Sequence, residues 1–308
     1  MQLNFDVVVI GAGSAGMTAA INLKRANLNV VMIEEEAPGG QINKTDFIEN
    51  YPGFFRIEGP TLAYNMFEQT QKLEIPYYSG KVLTVIDKGD YKIVKTKEEE
   101  ITCLGVIIAS GRRPRHLGLP KEEQLKGQGI SWCAICDGAF FKGKEVVVVG
   151  GGNSALEGAL YLSEIAKKVT LIHRRDTFRG DKILQEKVLN NKVITIKYNS
   201  EIEEIEETNG LLKGIKINNN LTKEKQRIKV DGLFIYIGFE PVSDFIIDKK
   251  IKDENNYLIV DQNMRTNRKL IYACGDVIKK ELYQVTTAIG EGAKAAHSLI
   301  QDLQRKTS

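Results

Sequence analysis

Two uninterrupted apolar runs, Val7-Val8-Val9-Ile10 and Val146-Val147-Val148-Val149, each end in a glycine turn and pass into a segment with apolar residues at helical spacing. A run apolar on both faces predicts a strand inside a parallel sheet, where helices cover both surfaces. Each copy therefore reads as strand, turn, helix. Laying Val7 on Val146 aligns Val7 to Gly16 with Val146 to Ala155, and the match continues to Leu23 on Leu162. A second echo follows, Gly105-Val106-Ile107-Ile108-Ala109-Ser110-Gly111 against Gly232-Leu233-Phe234-Ile235-Tyr236-Ile237-Gly238. Before each echo, Val82 to Cys103 and Glu201 to Val230 alternate β-branched residues with polar turns, as meanders do. The charge run Glu203 to Glu207 reads as a solvated strand edge.

The fold class this predicts is α/β: two Rossmann-like dinucleotide-binding domains, each with a parallel sheet plus a β-meander. Pro114 and Pro120 follow the first glycine-ended strand and Pro241 follows the second, so one domain is inserted into the other. The expected boundaries are 1–113 with 243–308 for the discontinuous domain and 114–242 for the insertion. A closing helix is expected to bury Ile289, Ala293, Ala296, Ile300 and Leu303.

Composition narrows the function. The 308 residues are 42% apolar, and 43 basic against 40 acidic side chains leave a net charge of only +3. That is too little for a surface that tracks phosphates, so nucleic acid is not an expected partner. The uncharged run Val7 to Leu23 contains Gly11, Gly13 and Gly16 and falls short of the roughly 20 apolar residues of a spanning helix. Met1 to Phe5 contains no Lys or Arg, so no secretory leader is expected. The predicted location is cytoplasmic. Three histidines give little for metal ligation, and no metal is expected.

In a dinucleotide-binding turn the first glycine makes the bend, the second lets backbone approach a pyrophosphate, and a third small residue lets helix pack on strand. The helix N-terminus offers unpaired N–H groups to the phosphates. The predicted contacts are Gly11, Gly13, Ser14, Ala15 and Gly16 in the first copy, and Gly150, Gly152, Asn153, Ser154 and Ala155 in the second. An acidic residue normally ends the second strand and binds ribose hydroxyls. Glu34, with Glu35 beside it, stands there in the first copy. The aligned position in the second is His173, opening His173-Arg174-Arg175, with Arg179 close behind. A ribose 2′-phosphate is repelled by Glu and matched by guanidinium forks. The first site therefore suits FAD and the second NADPH.

Cys133 and Cys136 lie in Ser131-Trp132-Cys133-Ala134-Ile135-Cys136-Asp137-Gly138, inside the inserted domain. Two intervening residues let both sulfurs reach disulfide distance across one helical turn. A zinc site would need a second ligand pair, whereas Cys103 and Cys274 sit in strand-like contexts and read as buried core thiols.

With these motifs in order, the chain resembles the bacterial low-molecular-weight thioredoxin reductases over essentially its whole length. The likeness rests on Gly11 to Gly16, Gly39-Gly40-Gln41, Glu49-Asn50-Tyr51-Pro52-Gly53, Cys133 to Gly138, Gly150 to Ala155, His173 to Arg179 and Ala273-Cys274-Gly275-Asp276. It implies that NADPH reduces FAD, that the flavin reduces the Cys133/Cys136 disulfide, and that the dithiol reduces thioredoxin or a similar small dithiol protein. Cys133 would exchange with the partner, Cys136 with the flavin, and Asp137 would give and take protons. Further flavin contacts implied are Gly40, Gln41, Asn50, Ala109, Gly111, Gly275, Asp276, Gln284 and Val285. Tyr283 stands where the family often has Arg. A homodimer is implied, as is rotation of the inserted domain about 111–120 and 238–244 so that nucleotide and dithiol reach one flavin in turn.

Rival readings share the fold. The reductase component of alkyl hydroperoxide reductase serves a peroxiredoxin-type partner and adds an N-terminal thioredoxin-like region, not expected here. Ferredoxin-driven disulfide reductases lose the nucleotide motifs retained in this chain, and two-domain ferredoxin–NADP reductases lack the Cys pair. A non-enzymatic flavin redox sensor is the reading from a different class, and it has no use for an intact NADPH site.

Overall fold

The computed structural model describes residues 4–45 and 47–307, without the side chains of Lys306 and Thr307. Met1 to Leu3, on which part of the leader expectation rests, lie outside the described residues, as do Asp46 and Ser308. The chain divides into two compact units, Met1–Arg113 with Glu240–Ser308, and Pro114–Phe239.

In the first unit the Phe5–Ile10 strand lies parallel between Val30–Glu34 and Glu100–Ile108, with Val7 opposite Val30 on one side and Gly105 on the other. Tyr77–Ser79 extends the sheet beyond Val30–Glu34, and Ile271–Ala273 pairs with the end of Glu100–Ile108. The start of that same strand pairs antiparallel with Lys92–Lys95, which pairs in turn with Thr84–Asp87. One strand of nine residues thus serves both the parallel sheet and the meander. Alternate residues bury opposite faces: Val7, Val9, Met32 and Ile107 enter one core, Val8, Ile10, Val31 and Ile108 the other. This is why the sequence shows unbroken apolar runs rather than alternation.

Helix Ser14–Arg25 follows the first turn and packs against the closing helix Val285–Thr307. The closing helix buries Ala288, Ala295, Ala296, Leu299 and Leu303, while Ile289, Ala293 and Ile300 are only half-buried. Its inward stripe is therefore rotated from the expected one. Gly292 sets this: a Cβ there would collide with the Ala15 carbonyl, so the backbones meet along the Gly292 line and Ile289 and Ile300 flank it.

The inserted unit repeats the plan. Glu145–Gly150 lies parallel between Lys168–Ile172 and Gly232–Tyr236, with Ile194–Lys197 and Ile130–Ser131 at the edges. Its meander, Ser200–Thr208, Leu211–Asn219 and Lys225–Lys229, forms a separate antiparallel sheet. Glu203, Glu204 and Glu206 project from this meander and pair with Lys225, Lys216 and Arg227 at 2.8, 2.8 and 2.6 Å. Exposed pairs of this kind add little stability. Cys103 and Cys274 are buried free thiols, and burial pushes the Cys103 thiol up to about 12. Among the described residues no helix is long and apolar enough to cross a membrane.

Candidate active site

The first glycine turn is shaped by close approach. Gly11 has φ 103°, and a Cβ there or at Gly16 would strike the carbonyls of Ala109 and Gly11 respectively. Gly13 faces open space and begins the Ser14–Arg25 helix without a side-chain cap, leaving first-turn N–H groups for a ligand. Glu34 ends its strand beneath this turn. Its Oε2 accepts the Ala12 N–H at 2.8 Å and its Oε1 the Glu36 N–H at 3.0 Å. Glu35 is exposed instead and pairs with Lys81 at 3.1 Å. The Ala12 carbonyl accepts the Gly39 N–H at 2.8 Å, which lays the Gly39-Gly40 segment against Gly13.

Behind this turn the later flavin candidates gather in the same unit. Gln41 donates through Nε2 to the Arg112 carbonyl at 3.0 Å, beside Gly111 with φ 68°. Arg112 Nε stands 3.2 Å from Asp276, and Lys280 reaches Asp276 at 3.2 Å and Glu291 at 2.9 Å. Glu291 also accepts the Gly275 N–H at 2.9 Å, and burial raises its carboxyl above the ordinary range despite Lys280. A Cβ at Gly275 would meet Ala15 at 2.8 Å, so Gly275-Asp276 is pressed onto the first-turn helix. Tyr283 carries the Arg112 guanidinium 4.3 Å above its ring. A guanidinium from a distant part of the chain thus lies beside Tyr283, a contact that no sequence motif signals. Val285 packs with Ile42, Ile48 and Leu62, whereas Gln284 and Asn50 are exposed.

The second turn uses other chemistry at the same positions. Gly150 has φ 151°, and a Cβ there would meet Ala155 at 2.7 Å. Gly152 faces open space and begins helix Asn153–Ser163, also without a side-chain cap. His173 is buried, not turned to solvent. Its Nε2 lies 2.9 Å from the Thr177 carbonyl, and its ring packs so tightly under Gly151 that a Cβ there would collide with it. Burial holds the imidazole below its ordinary pKa, although the Thr177 carbonyl opposes this. The Gly151 carbonyl accepts the Arg179 N–H at 2.7 Å, and Asn153 exchanges hydrogen bonds with Asp181 at 2.8 and 2.9 Å. Ser154, Arg174, Arg175 and Arg179 are exposed. None of these three arginines has an ion pair among the described residues.

In the same unit Cys133 and Cys136 form a disulfide, with their Cα atoms 5.3 Å apart. Cys133 caps the short helix Ala134–Asp137, and its sulfur accepts the Cys136 N–H at 3.1 Å. Cys136 is exposed and Cys133 half-buried. Ser131 donates to Asp137 Oδ2 at 2.6 Å and accepts the Cys133 N–H at 3.0 Å. Tyr236 accepts the Ala134 N–H at 2.7 Å. Neither hydroxyl had been singled out from the sequence, although a lone serine before the cysteine motif and a tyrosine within an apolar strand were the available signals. Trp132 packs against His116, ring centroids 4.8 Å apart, and donates to the Arg115 carbonyl at 3.2 Å.

The pyridine nucleotide-disulphide oxidoreductase family matches residues 5–292. Thioredoxin reductase of Bacillus subtilis is 45% identical over 303 residues, covering 97% of this chain and 96% of that protein. The crystal structure of Lactococcus lactis thioredoxin reductase (FR conformation) superposes with TM-score 0.89 at 40% identity, covering 98% of this chain and all of that one. That of T. acidophilum thioredoxin reductase gives TM-score 0.85 at 33% identity over 97% of this chain and 99% of that one. The chain belongs to the pyridine nucleotide-disulphide oxidoreductase family and, within it, to the thioredoxin reductases.

Proposed function

We propose that this oxidoreductase carries electrons from NADPH, by way of FAD, to the Cys133/Cys136 disulfide and from there to oxidised thioredoxin. Membership of the family implies a flavin and a pyridine nucleotide, and the residues present fit both. Gly13 and Gly152 are open cradles at uncapped helix starts. Glu34 at the first suits a nucleotide without a 2′-phosphate, and the exposed Arg174, Arg175 and Arg179 at the second suit one that has it. The observation that carries the reading is a disulfide in the same compact unit as an arginine-ringed nucleotide turn.

FAD, when bound, supplies two-electron chemistry linking hydride donor to disulfide. In this reading Gly11, Gly13, Ser14, Ala15, Gly16, Gly40, Ala109, Gly111 and Gly275 shape its bed. Glu34 holds ribose, Asp276 the ribityl or pyrophosphate portion, and Gln41, Asn50, Gln284 and Val285 the ring. Gly150, Gly152, Asn153, Ser154 and Ala155 cradle the NADPH pyrophosphate. His173 acts from beneath: as a neutral, buried ring it supports the turn backbone while the arginines meet the phosphate. Cys133 exchanges with thioredoxin, Cys136 with the flavin side, and Asp137 handles protons. Since nucleotide turn and disulfide share one unit, the links at 111–120 and 238–244 would let it turn between the two exchanges. Cross-linking the units is expected to slow turnover and leave flavin bound; an unchanged rate overturns that point.

We further propose a homodimer in the cytoplasm. Stopped-flow mixing tests the main reading. Anaerobic NADPH is expected to bleach the yellow protein faster than NADH, and oxidised thioredoxin to restore the colour. Equal rates with both nucleotides remove the NADPH assignment. No bleaching with either favours the ferredoxin-driven or sensor readings.

A further inference from the structure

The disulfide turn is held by two hydroxyls that come from two neighbouring strands and that no motif assigned. Ser131 ends the Ile130–Ser131 strand, where it pairs in register with Phe234. Tyr236 lies two residues further along that neighbour, on the same face as Phe234, and pairs on its other side with Gly150 of the nucleotide turn. Ser131 is 4% exposed, so its 2.6 Å bond to Asp137 Oδ2 is covered from water on the serine side. The Ser131 hydroxyl oxygen receives the Cys133 N–H at 3.0 Å and lies 3.2 Å from the Cys133 carbonyl, a longer contact than the one to Asp137. Tyr236 takes the N–H of Ala134, a residue with no exposure at all. Burial raises the phenol above its ordinary range, with the charges of Asp137 and Glu157 adding to this, so it stays a neutral anchor.

We propose that Ser131 and Tyr236 are positioning residues for the dithiol. Ser131 fixes Asp137 by Oδ2 and ties it to the Cys133 peptide, so that proton exchange with the sulfurs runs through Oδ1. Tyr236 holds the first N–H of the short helix, two residues before the Cys136 N–H that donates to the Cys133 sulfur. This deepens the proposed function and rests on it for the source of electrons. Opening the disulfide consumes two electrons and two protons: the hydride brings both electrons and one proton equivalent, and solvent provides the other proton. Reduction of the partner's disulfide returns all four. Asp137 is the group through which the solvent proton enters, and Asp137 and Glu157 are the charges that bear on Tyr236.

The test compares Ser131→Ala, Ser131→Thr and Tyr236→Phe, which change little volume. In thioredoxin turnover, Ser131→Ala is expected to lower kcat about tenfold with thioredoxin KM unchanged, and Ser131→Thr to recover most of it. Tyr236→Phe is expected to lower kcat about fivefold. A second readout needs no nucleotide, flavin or thioredoxin. At a fixed ratio of reduced to oxidised dithiothreitol, both hydroxyl-less variants are expected to hold several-fold more open dithiol than the parent, because the brace is seen on the oxidised turn. A parent that fails to reduce thioredoxin overturns the proposed function, and the dithiothreitol equilibrium then judges the brace by itself. Parent-like equilibrium and kcat in both variants overturn the brace, as does a threonine variant no better than alanine.

Discussion

The two glycine turns solve one problem with different chemistry at matching positions. In the first, the residue between the leading glycines is Ala12, whose N–H is taken by Glu34 at 2.8 Å. In the inserted unit it is Gly151, which must lack a side chain because the His173 ring lies against it. In both turns the carbonyl at this position accepts an N–H from the loop after the second strand, Gly39 at 2.8 Å and Arg179 at 2.7 Å. The loop is therefore anchored alike while the charge it presents differs, a glycine pair in one case and a guanidinium in the other. The lesson is that the charge offered at the strand end and loop can be exchanged without disturbing the uncapped helix start beside it.

Breaking the comparison at the redox pair, present in one unit only, has the largest expected effect. Cys133→Ser or Cys136→Ser is expected to cut thioredoxin turnover roughly a thousandfold or more while nucleotide still bleaches the flavin, measured by steady-state and stopped-flow assays on the same sample. Surviving turnover would mean electrons leave elsewhere. Next comes the arginine ring. Replacing Arg174, Arg175 and Arg179 together by alanine should raise the KM for NADPH about a hundredfold and leave that for NADH within a few-fold. An equal rise for both nucleotides would show general damage to the turn.

Smaller effects sharpen the contrast between carboxylate and imidazole. Glu34→Gln is expected to weaken flavin retention about tenfold, read by flavin release on dilution, with no change in nucleotide KM. Gly151→Ala should do the reverse, raising nucleotide KM about tenfold with flavin content normal, because the new methyl group must displace the His173 ring. Last is pH. The folded-state pKa of His173 is depressed by burial, so the unfolded chain binds the proton more readily. Its contribution is fully present at neutral pH and is lost as pH falls below the ordinary histidine value of about 6.5. Thermal melting between pH 7.5 and 5 should show that loss in the parent and a flatter profile in His173→Gln.

Much of this was legible in the chain because buried parallel strands leave unbroken apolar runs and because glycine is required where backbones touch. The repeat followed from those facts, whereas the insertion was read from Pro114, Pro120 and Pro241 and the redox pair from the spacing of Cys133 and Cys136. Direction was harder to read than position. His173 was placed correctly at the end of its strand, yet only packing reveals that its ring points inward under Gly151 while Arg174 and Arg175 point out. The inward stripe of the closing helix was rotated for the same reason, since the Gly292 contact with Ala15 is tertiary and leaves no periodic trace. Arg112 over Tyr283, and Ser131 against Asp137, join residues far apart or too ordinary to stand out. In each case the missing information was which way a side chain turns, decided by neighbours that only folding supplies.

Electrons are expected to enter beside the arginines and to leave through the Cys133 and Cys136 sulfhydryls. Counting thiols in denatured samples tests this most directly, with the chain held anaerobic before and after one equivalent of NADPH, then after oxidised thioredoxin. The prediction is that two new thiols appear at Cys133 and Cys136 on reduction and, once the two proteins are alkylated and separated, are found on thioredoxin and no longer on this chain. A flavin that bleaches with no gain of thiols, or thiols that stay at Cys133 and Cys136 in the presence of oxidised thioredoxin, would contradict it.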